Sequence, residues 1–305
     1  MQVYLPIAEI SMNIFVLFGL GFGVGILSGL FGIGGGFLLT PLLIFLGVPA
    51  PVSVATQSNQ ISAQSLAGVI QHWRRKNVDI PMGIILLTGG LLGSSLGVII
   101  FSALRNMGQI DLLISLLYII FLGMLGSLML IEGINSLRKS KKQVGSRTYH
   151  HIGHRLPLKM RFRKSGLYMS ALLPLLVGFC VGLISALMGV GGGFILVPAM
   201  IYIIGMPTRV VVGTSLFQII FTAANVTILQ AVSTQTVDVV LALTLLIGGV
   251  VGVNIGAIFG ARLRAEQLRI LLALVVLAVA IKLALDITIT PHDVYNIRFI
   301  AGVTQ

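Results

Sequence analysis

Long apolar runs, interrupted by short polar or glycine-rich breaks, fill most of this chain. The runs fall at roughly 12–33, 36–48, 53–72, 79–104 and 110–136, and again at roughly 167–190, 193–205, 209–230, 237–261 and 268–287. Most have the ~20 residues a helix needs to cross a bilayer. The second run of each set has about 13 and is too short for a full span. The pattern predicts an all-α polytopic membrane protein with two sets of five apolar segments, each a short broken helical hairpin plus three spans. Residues 1–136 form an N-terminal repeat, 137–166 a basic loop and 167–305 a C-terminal repeat.

The two sets align residue by residue. Gly21, Gly25, Ser28, Gly32 and Pro41 match Gly178, Gly182, Ser185, Gly189 and Pro198. After one inserted residue, Gly47, Pro49, Thr56 and Gln60 match Gly205, Pro207, Thr214 and Gln218. After a second, Asp79, Gly89, Gly93 and Gly97 match Asp238, Gly248, Gly252 and Gly256. Each short run opens on a glycine triplet, Gly34-Gly35-Gly36 or Gly191-Gly192-Gly193, and carries a proline five residues on. Such a run breaks a helix. In a membrane, broken backbone is tolerated where it is buried in protein or lines a cavity, and paired breaks point to a transporter's substrate site.

Composition agrees: 56% of the 305 residues are hydrophobic and 9% charged, against about 25% charged in soluble domains. The net charge of +12 would suggest nucleic acid, but ten of the 20 Lys+Arg lie between Arg138 and Lys164. That clustering indicates a cytoplasmic loop facing anionic lipid. With 137–166 in the cytoplasm, the alternation of spans also brings residues 74–76, Arg209 and Arg262–Arg269 inside. Arg105, Lys282 and Arg298 are left on or toward the outside. An odd number of spans per half then makes the repeats inverted, with both termini outside an inner cell membrane. Residues 1–13 lack the basic region and cleavage site of a signal peptide, so the first run is expected to be retained.

The candidate site combines the two triplets with polar residues at membrane depth. Exposed N–H groups at a helix start suit an anion, while glycines that only ease close packing are the plainer alternative. The third segment of the first half offers Thr56, Gln57, Asn59 and Gln60. Its counterpart offers Thr214, Ser215, Gln218 and Asn225. Neutral amides and hydroxyls can hold an oxyanion, or they can knit helices together. The expected substrate-binding set is Gly34, Gly35, Gly36, Thr56, Gln57, Asn59, Gln60, Gly191, Gly192, Gly193, Thr214, Ser215, Gln218 and Asn225.

The other polar features read more plainly. The small-residue stripes around Gly93 and Gly252 suit close helix crossing. Asp79 and Asp238 read as helix N-caps, with proton coupling as the sharper alternative. Lys282 and Asp286, four apart, are placed to pair on the last helix. His150, His151 and His154 sit in the basic loop without cysteine or carboxylate nearby and read as solvated, not as metal ligands. The lone cysteine, Cys180, excludes an internal disulfide. No catalytic constellation, cofactor motif or nucleotide loop is present, which argues against an enzyme and against ATP as driving force.

At the paired Gly-x-Gly-Gly-Gly-Phe motifs with their prolines, and at Ala55-Thr56-Gln57 and Gly213-Thr214-Ser215, the chain resembles the TauE/SafE family. These are also called sulfite exporters or 4-toluene sulfonate uptake permeases. The resemblance runs over about 12–287 and falls on Gly32, Gly34 to Gly36, Pro41 and Thr56, with Gly189, Gly191 to Gly193, Pro198 and Thr214. It implies secondary transport of sulfur-containing anions such as sulfite, thiosulfate or organosulfonates. The expected partners are the lipid bilayer, a small anionic substrate and a coupling ion, proton or sodium. Alternating access is the expected mechanism. An anion channel or a non-transporting protein of the same fold stays open, as does the oligomeric state.

Overall fold

The computed structural model describes residues 2–31, 36–138, 158–162, 164–260 and 265–288. In the first half these form helices α1 (Ile14–Phe31), α2 (Gly36–Phe45), α3 (Ala50–Arg74), α4 (Ile80–Asn106) and α5 (Ile110–Arg138). In the second they form α6 (Leu172–Met188), α7 (Gly193–Ala199), α8 (Thr208–Ser233), α9 (Val239–Gly260) and α10 (Ala265–Thr288). α7 runs on into a π-helical turn, Met200–Ile204, that begins two residues after Pro198. A proline inside a helix removes one backbone bond and crowds the preceding turn. α2 carries Pro41 at the matching place.

Stretches within α4, α5, α8, α9 and α10 are each long and apolar enough to cross a membrane. α3 is as long, at 25 residues, but its amides dilute its hydropathy. Those amides face inward: Gln57, Gln60 and Gln64 are buried. Helix α3 thus hides its polar face in protein and keeps apolar side chains for the outside.

Two elements depart from the apolar pattern. A β-hairpin of β1 (Gln2–Leu5) and β2 (Ile10–Asn13) precedes α1, and a second, of β3 (Lys159–Phe162) and β4 (Leu167–Ser170), precedes α6. Residues 12–13 and 167–170, expected at the start of helical segments, are strand. Their apolarity is real, but Gly166 at φ +65° turns the chain back and lets β4 pair with β3. Hydropathy reports burial and not which backbone bonds form.

The halves pack by exchange. Helix α1 lies against α9 and α4 against α6, while α3 meets α8 and α5 meets α10. Backbone touches backbone along the first two pairs. A Cβ added at Gly21 would sit 2.7 Å from the Leu245 carbonyl oxygen, and one at Gly248 2.5 Å from that of Phe18. Gly178 against Leu86, and Gly89 against Leu175, repeat these contacts more tightly in the other pair. The stripes of small residues therefore serve close crossing, with dispersion and weak Cα–H···O contacts in place of a hydrophobic driving force that lipid cannot supply.

Candidate functional site

The second glycine break is fully described. Helix α6 ends at Gly189, in the left-handed conformation (φ +69°), and Gly191 and Gly192 follow at φ +69° and +75°. Three left-handed residues within four positions need glycine. Val190 between them is buried, and α7 restarts with the Ile195 and Leu196 N–H groups donating to the Gly192 carbonyl. In the first break, Gly32, Gly34 and Gly35 lie outside the described residues, and Gly36 opens α2.

Both breaks close on the same point of α3. A Cβ at Gly36 would stand 2.7 Å from Ile61 Cγ1 and 2.9 Å from Gln57 Nε2, and one at Gly191 would stand 3.0 Å from Ile61 Cδ1. Gly189 abuts the Val54 carbonyl, one turn or more before. The residues after the triplets also meet: the Phe37 and Phe194 rings stack with centroids 4.2 Å apart, 9° from parallel. Ile61, Ile219 and Ala223 make a small apolar cluster between α3 and α8.

Around that point the polar residues divide into two groups. Some are committed to holding helices. Thr56 Oγ1 accepts from the Asp238 N–H at 3.0 Å, and Thr214 Oγ1 accepts from the Asp79 N–H at 3.0 Å. Asn225 Nδ2 donates to the hydroxyls of Ser94 (3.0 Å) and Ser95 (3.1 Å) on α4. Ser215 donates to the Val212 carbonyl within its own helix. Asn59 is exposed. The structure thus brings Gly36, Gln57, Gly191 and α3 together, and sets Thr56, Thr214 and Asn225 at the contacts between halves.

The second group has unspent capacity. Thr40 Oγ1 donates to Gln57 Oε1, which leaves Gln57 Nε2 buried without a partner. Gln60 Nε2 donates to the Leu245 carbonyl (3.1 Å), leaving its Oε1 unpaired. Gln218 Oε1 and the hydroxyls of Ser53 and Ser65 are likewise buried and unpartnered. A buried polar group without a partner costs about 1–3 kcal/mol, so each of these groups has hydrogen-bonding capacity that helix packing does not use. Residues 36–73 and 210–260 contain no Lys or Arg. The stretches of α3 and α8 that carry these amides therefore offer no cation of their own.

Two carboxylates flank it at a distance, each clasping a hairpin. Asp79 caps α4 by accepting from the Met82 N–H, and its other oxygen accepts from the Ser165 N–H (2.9 Å) and hydroxyl (2.5 Å) in the β3–β4 turn. Asp238 caps α9 through the Leu241 N–H (3.1 Å) and accepts from the Ile7 N–H (3.0 Å) in the β1–β2 turn. Both are buried. The N-cap reading of these residues is correct but partial: each cap also ties down a hairpin that hydropathy did not register.

Other anchors also escaped sequence reasoning. Tyr118 Oη donates to the Met188 carbonyl at 2.7 Å and so fixes the end of α6 just before the break. Gln230 Nε2 does the same for Ala186 at 3.3 Å. A single tyrosine in an apolar helix gives no periodic signal. Lys282 lies over the Phe45 ring, 3.8 Å from its centroid, a cation–π contact between α10 and α2. His150, His151 and His154 fall outside the described residues. Among the described residues there is no cluster of three metal-ligating side chains.

The family model described as "Sulfite exporter TauE/SafE" matches residues 17–283. The chain is 30% identical over 267 residues to the probable membrane transporter protein YjnA of Bacillus subtilis (strain 168), covering 87% of this chain and 97% of the relative. It is 31% identical over 281 residues to a probable membrane transporter protein of Xylella fastidiosa (strain 9a5c), covering 88% and 94%. A shorter match, 38% over 68 residues, covers 22% of this chain and 14% of sulfite exporter TauE/SafE family protein 3 of Arabidopsis thaliana. No solved structure matches.

Proposed function

Because the chain belongs to the sulfite exporter TauE/SafE family of multi-pass membrane proteins, we propose that it is a secondary transporter of small sulfur-containing anions. Sulfite, thiosulfate and organosulfonates are the substrate class. The observation that carries the proposal is the meeting of both helix breaks at Ile61, beside buried amides with unspent hydrogen-bonding capacity.

The chemistry follows from the donor set. Gln57 Nε2 has two N–H groups to offer, the Ser53 and Ser65 hydroxyls can donate as well, and a half-turn of the Gln218 amide presents N–H in place of C=O. Backbone N–H groups in the breaks add to them. Donors of this kind hold a tetrahedral oxyanion by hydrogen bonds. With no fixed cation beside it, the anion is bound weakly enough to leave again, as a carrier requires.

The two halves sit in opposite orientations in the cell membrane, with the 137–166 loop in the cytoplasm and both termini outside. The exchanged packing of α1 with α9 and α4 with α6 supports a two-fold relation between the halves, and the odd number of spans in each half makes it an inverted one. Rocking of the halves about the Ile61 region would expose the amides to each side in turn, driven by a proton or sodium gradient.

Thermal unfolding of the detergent-purified protein against sulfite, thiosulfate, sulfate, taurine, sulfoacetate and chloride tests the substrate. A ligand of the native state raises the midpoint as the logarithm of one plus its concentration over Kd. One sulfur oxyanion should do so, and Gln57→Ala or Gln218→Ala should move the shift to about tenfold higher anion concentration. Counterflow of the same anion in proteoliposomes separates carrier from channel. No shift with any of these anions in folded protein would overturn the substrate class.

A further inference from the structure

Away from the site, α3 and α8 leave an apolar groove of about 440 Å³ between them, lined by Leu66, Val69, Ile70 and Trp73 on one side and Phe217, Ile220 and Phe221 on the other. Leu66, Ile70, Trp73 and Phe221 are each about half exposed, while Gln57, Gln60 and Gln64 of α3 and Gln218 of α8 are buried. From Leu66 to Arg74 the groove follows about 12 Å of helix.

Its two ends differ. Arg74 closes one end, and Arg75 and Lys76 follow it, all exposed. These cations do not trail into solvent on a loose loop. The Lys76 N–H donates to the Trp73 carbonyl (2.9 Å) and the Asn77 N–H to the His72 carbonyl (3.0 Å), with Lys76 at φ +57°. This tight helix cap fixes the cations at the groove mouth. The N-terminal end of α8 reaches the same place, since a Cβ on Gly213 would touch the Asn77 carbonyl at 2.6 Å. Lys164 of the hairpin turn is there too, donating to the Val78 carbonyl (2.9 Å). Neither α3 nor α8 contains Asp or Glu, and Asp79 is buried and occupied by Ser165. Among the described residues, no carboxylate pairs with Arg74, Arg75 or Lys76.

We propose that this groove is a binding site for one anionic phospholipid. The acyl chain lies between α3 and α8, and the phosphate rests on Arg74, Arg75 and Lys76. An apolar trough capped by cations, with a half-exposed tryptophan at the boundary, matches the lipid in both shape and charge. The lipid braces the two helices that carry the amide cluster.

The test is native mass spectrometry and thermal unfolding of the full chain in mild detergent. Phosphatidylglycerol is compared with phosphatidylcholine of the same acyl chains. Phosphatidylglycerol should bind about tenfold tighter or more, given roughly 1 kcal/mol for each basic residue at a membrane surface. Combined Arg74→Gln, Arg75→Gln and Lys76→Gln substitution should erase that preference. Ile70→Trp, on an exposed position that leaves the core intact, should fill the groove and weaken both lipids. Should the combined variant not fold, Arg74→Gln alone should reduce the preference. Equal binding of the two lipids would overturn the proposal, as would a preference that survives the glutamine substitutions. So would inorganic phosphate giving the same stabilisation, or disulfide formation between copies of Leu66→Cys, which would make this face a contact between protomers.

Discussion

At the residue scale, the difference between a spent and an unspent polar group decides what each side chain does. Thr56 and Gln57 are neighbours on α3, both buried. The Thr56 hydroxyl is occupied by the Asp238 N–H, whereas Gln57 Nε2 has no partner. The two should therefore respond differently to substitution. Thr56→Val leaves the Asp238 N–H buried and unpaired, which costs about 1–3 kcal/mol, and should lower the unfolding midpoint in the absence of any anion. Gln57→Ala removes an unpaired donor but also the acceptor of the buried Thr40 hydroxyl, so it too should lower the anion-free midpoint. Beyond that, it alone should weaken anion binding, by about tenfold, the worth of one hydrogen bond to a charged group. Titration of the midpoint with anion separates the two effects. The reverse pattern would move the site from Gln57 to Thr56.

At the scale of elements, the hairpins and the glycine-faced helices carry the predictions. Each hairpin is held by the carboxylate that caps a helix of the other half. Asp238→Ala removes the acceptor of both the Leu241 and Ile7 N–H groups. It should cost about 1–3 kcal/mol and free residues 2–13 to proteolysis. Asp79→Ala should do the same for the β3–β4 turn at Ser165. Loss of protection of one hairpin without change in the other, mapped by limited proteolysis of each variant, distinguishes a local clasp from general unfolding. Gly25 faces the Gly249 backbone so closely that a single added carbon has no room. Gly25→Ala should push α1 off α9 and destabilise by about 1–3 kcal/mol, as overpacking does. Gly19, with open space around it, should accept alanine with no loss, and the pair of unfolding midpoints is the check.

At the scale of the molecule, the exchanged packing of the halves makes orientation testable. If the halves are inverted, the end of α3 and the end of α8 lie on opposite sides of the membrane. Arg75→Cys should then react with a membrane-impermeant maleimide only from the cytoplasmic side, and Gln235→Cys only from outside, in a background where Cys180 is replaced by serine. Labelling of both from one side would refute the inverted arrangement. The same geometry predicts that changes in one break are felt in the other. Phe37 and Phe194 stack on each other, so Phe37→Ala and Phe194→Ala should be non-additive in stability by about 0.5–1.5 kcal/mol in a double-mutant cycle.

The sequence by itself determined the ten helices, because membrane helices satisfy their backbone internally and their length and apolarity are local properties. It also determined the internal duplication and the two breaks, since Gly191 and Gly192 write their left-handed backbone directly into residue type. Family membership followed from the same motifs. Only the tertiary structure decided which polar groups are committed and which are open. Thr56 and Gln57 look equivalent in sequence and differ because Asp238, 182 residues away, reaches one and not the other. The hairpins were equally invisible, because strand pairing at 2–13 and 159–170 depends on bonds between segments and not on hydropathy along one. The meeting of both breaks at Ile61 belongs to the same class. It exists because α1 packs on α9 and α4 on α6, and contacts between residues far apart in the chain form only once the helices are assembled.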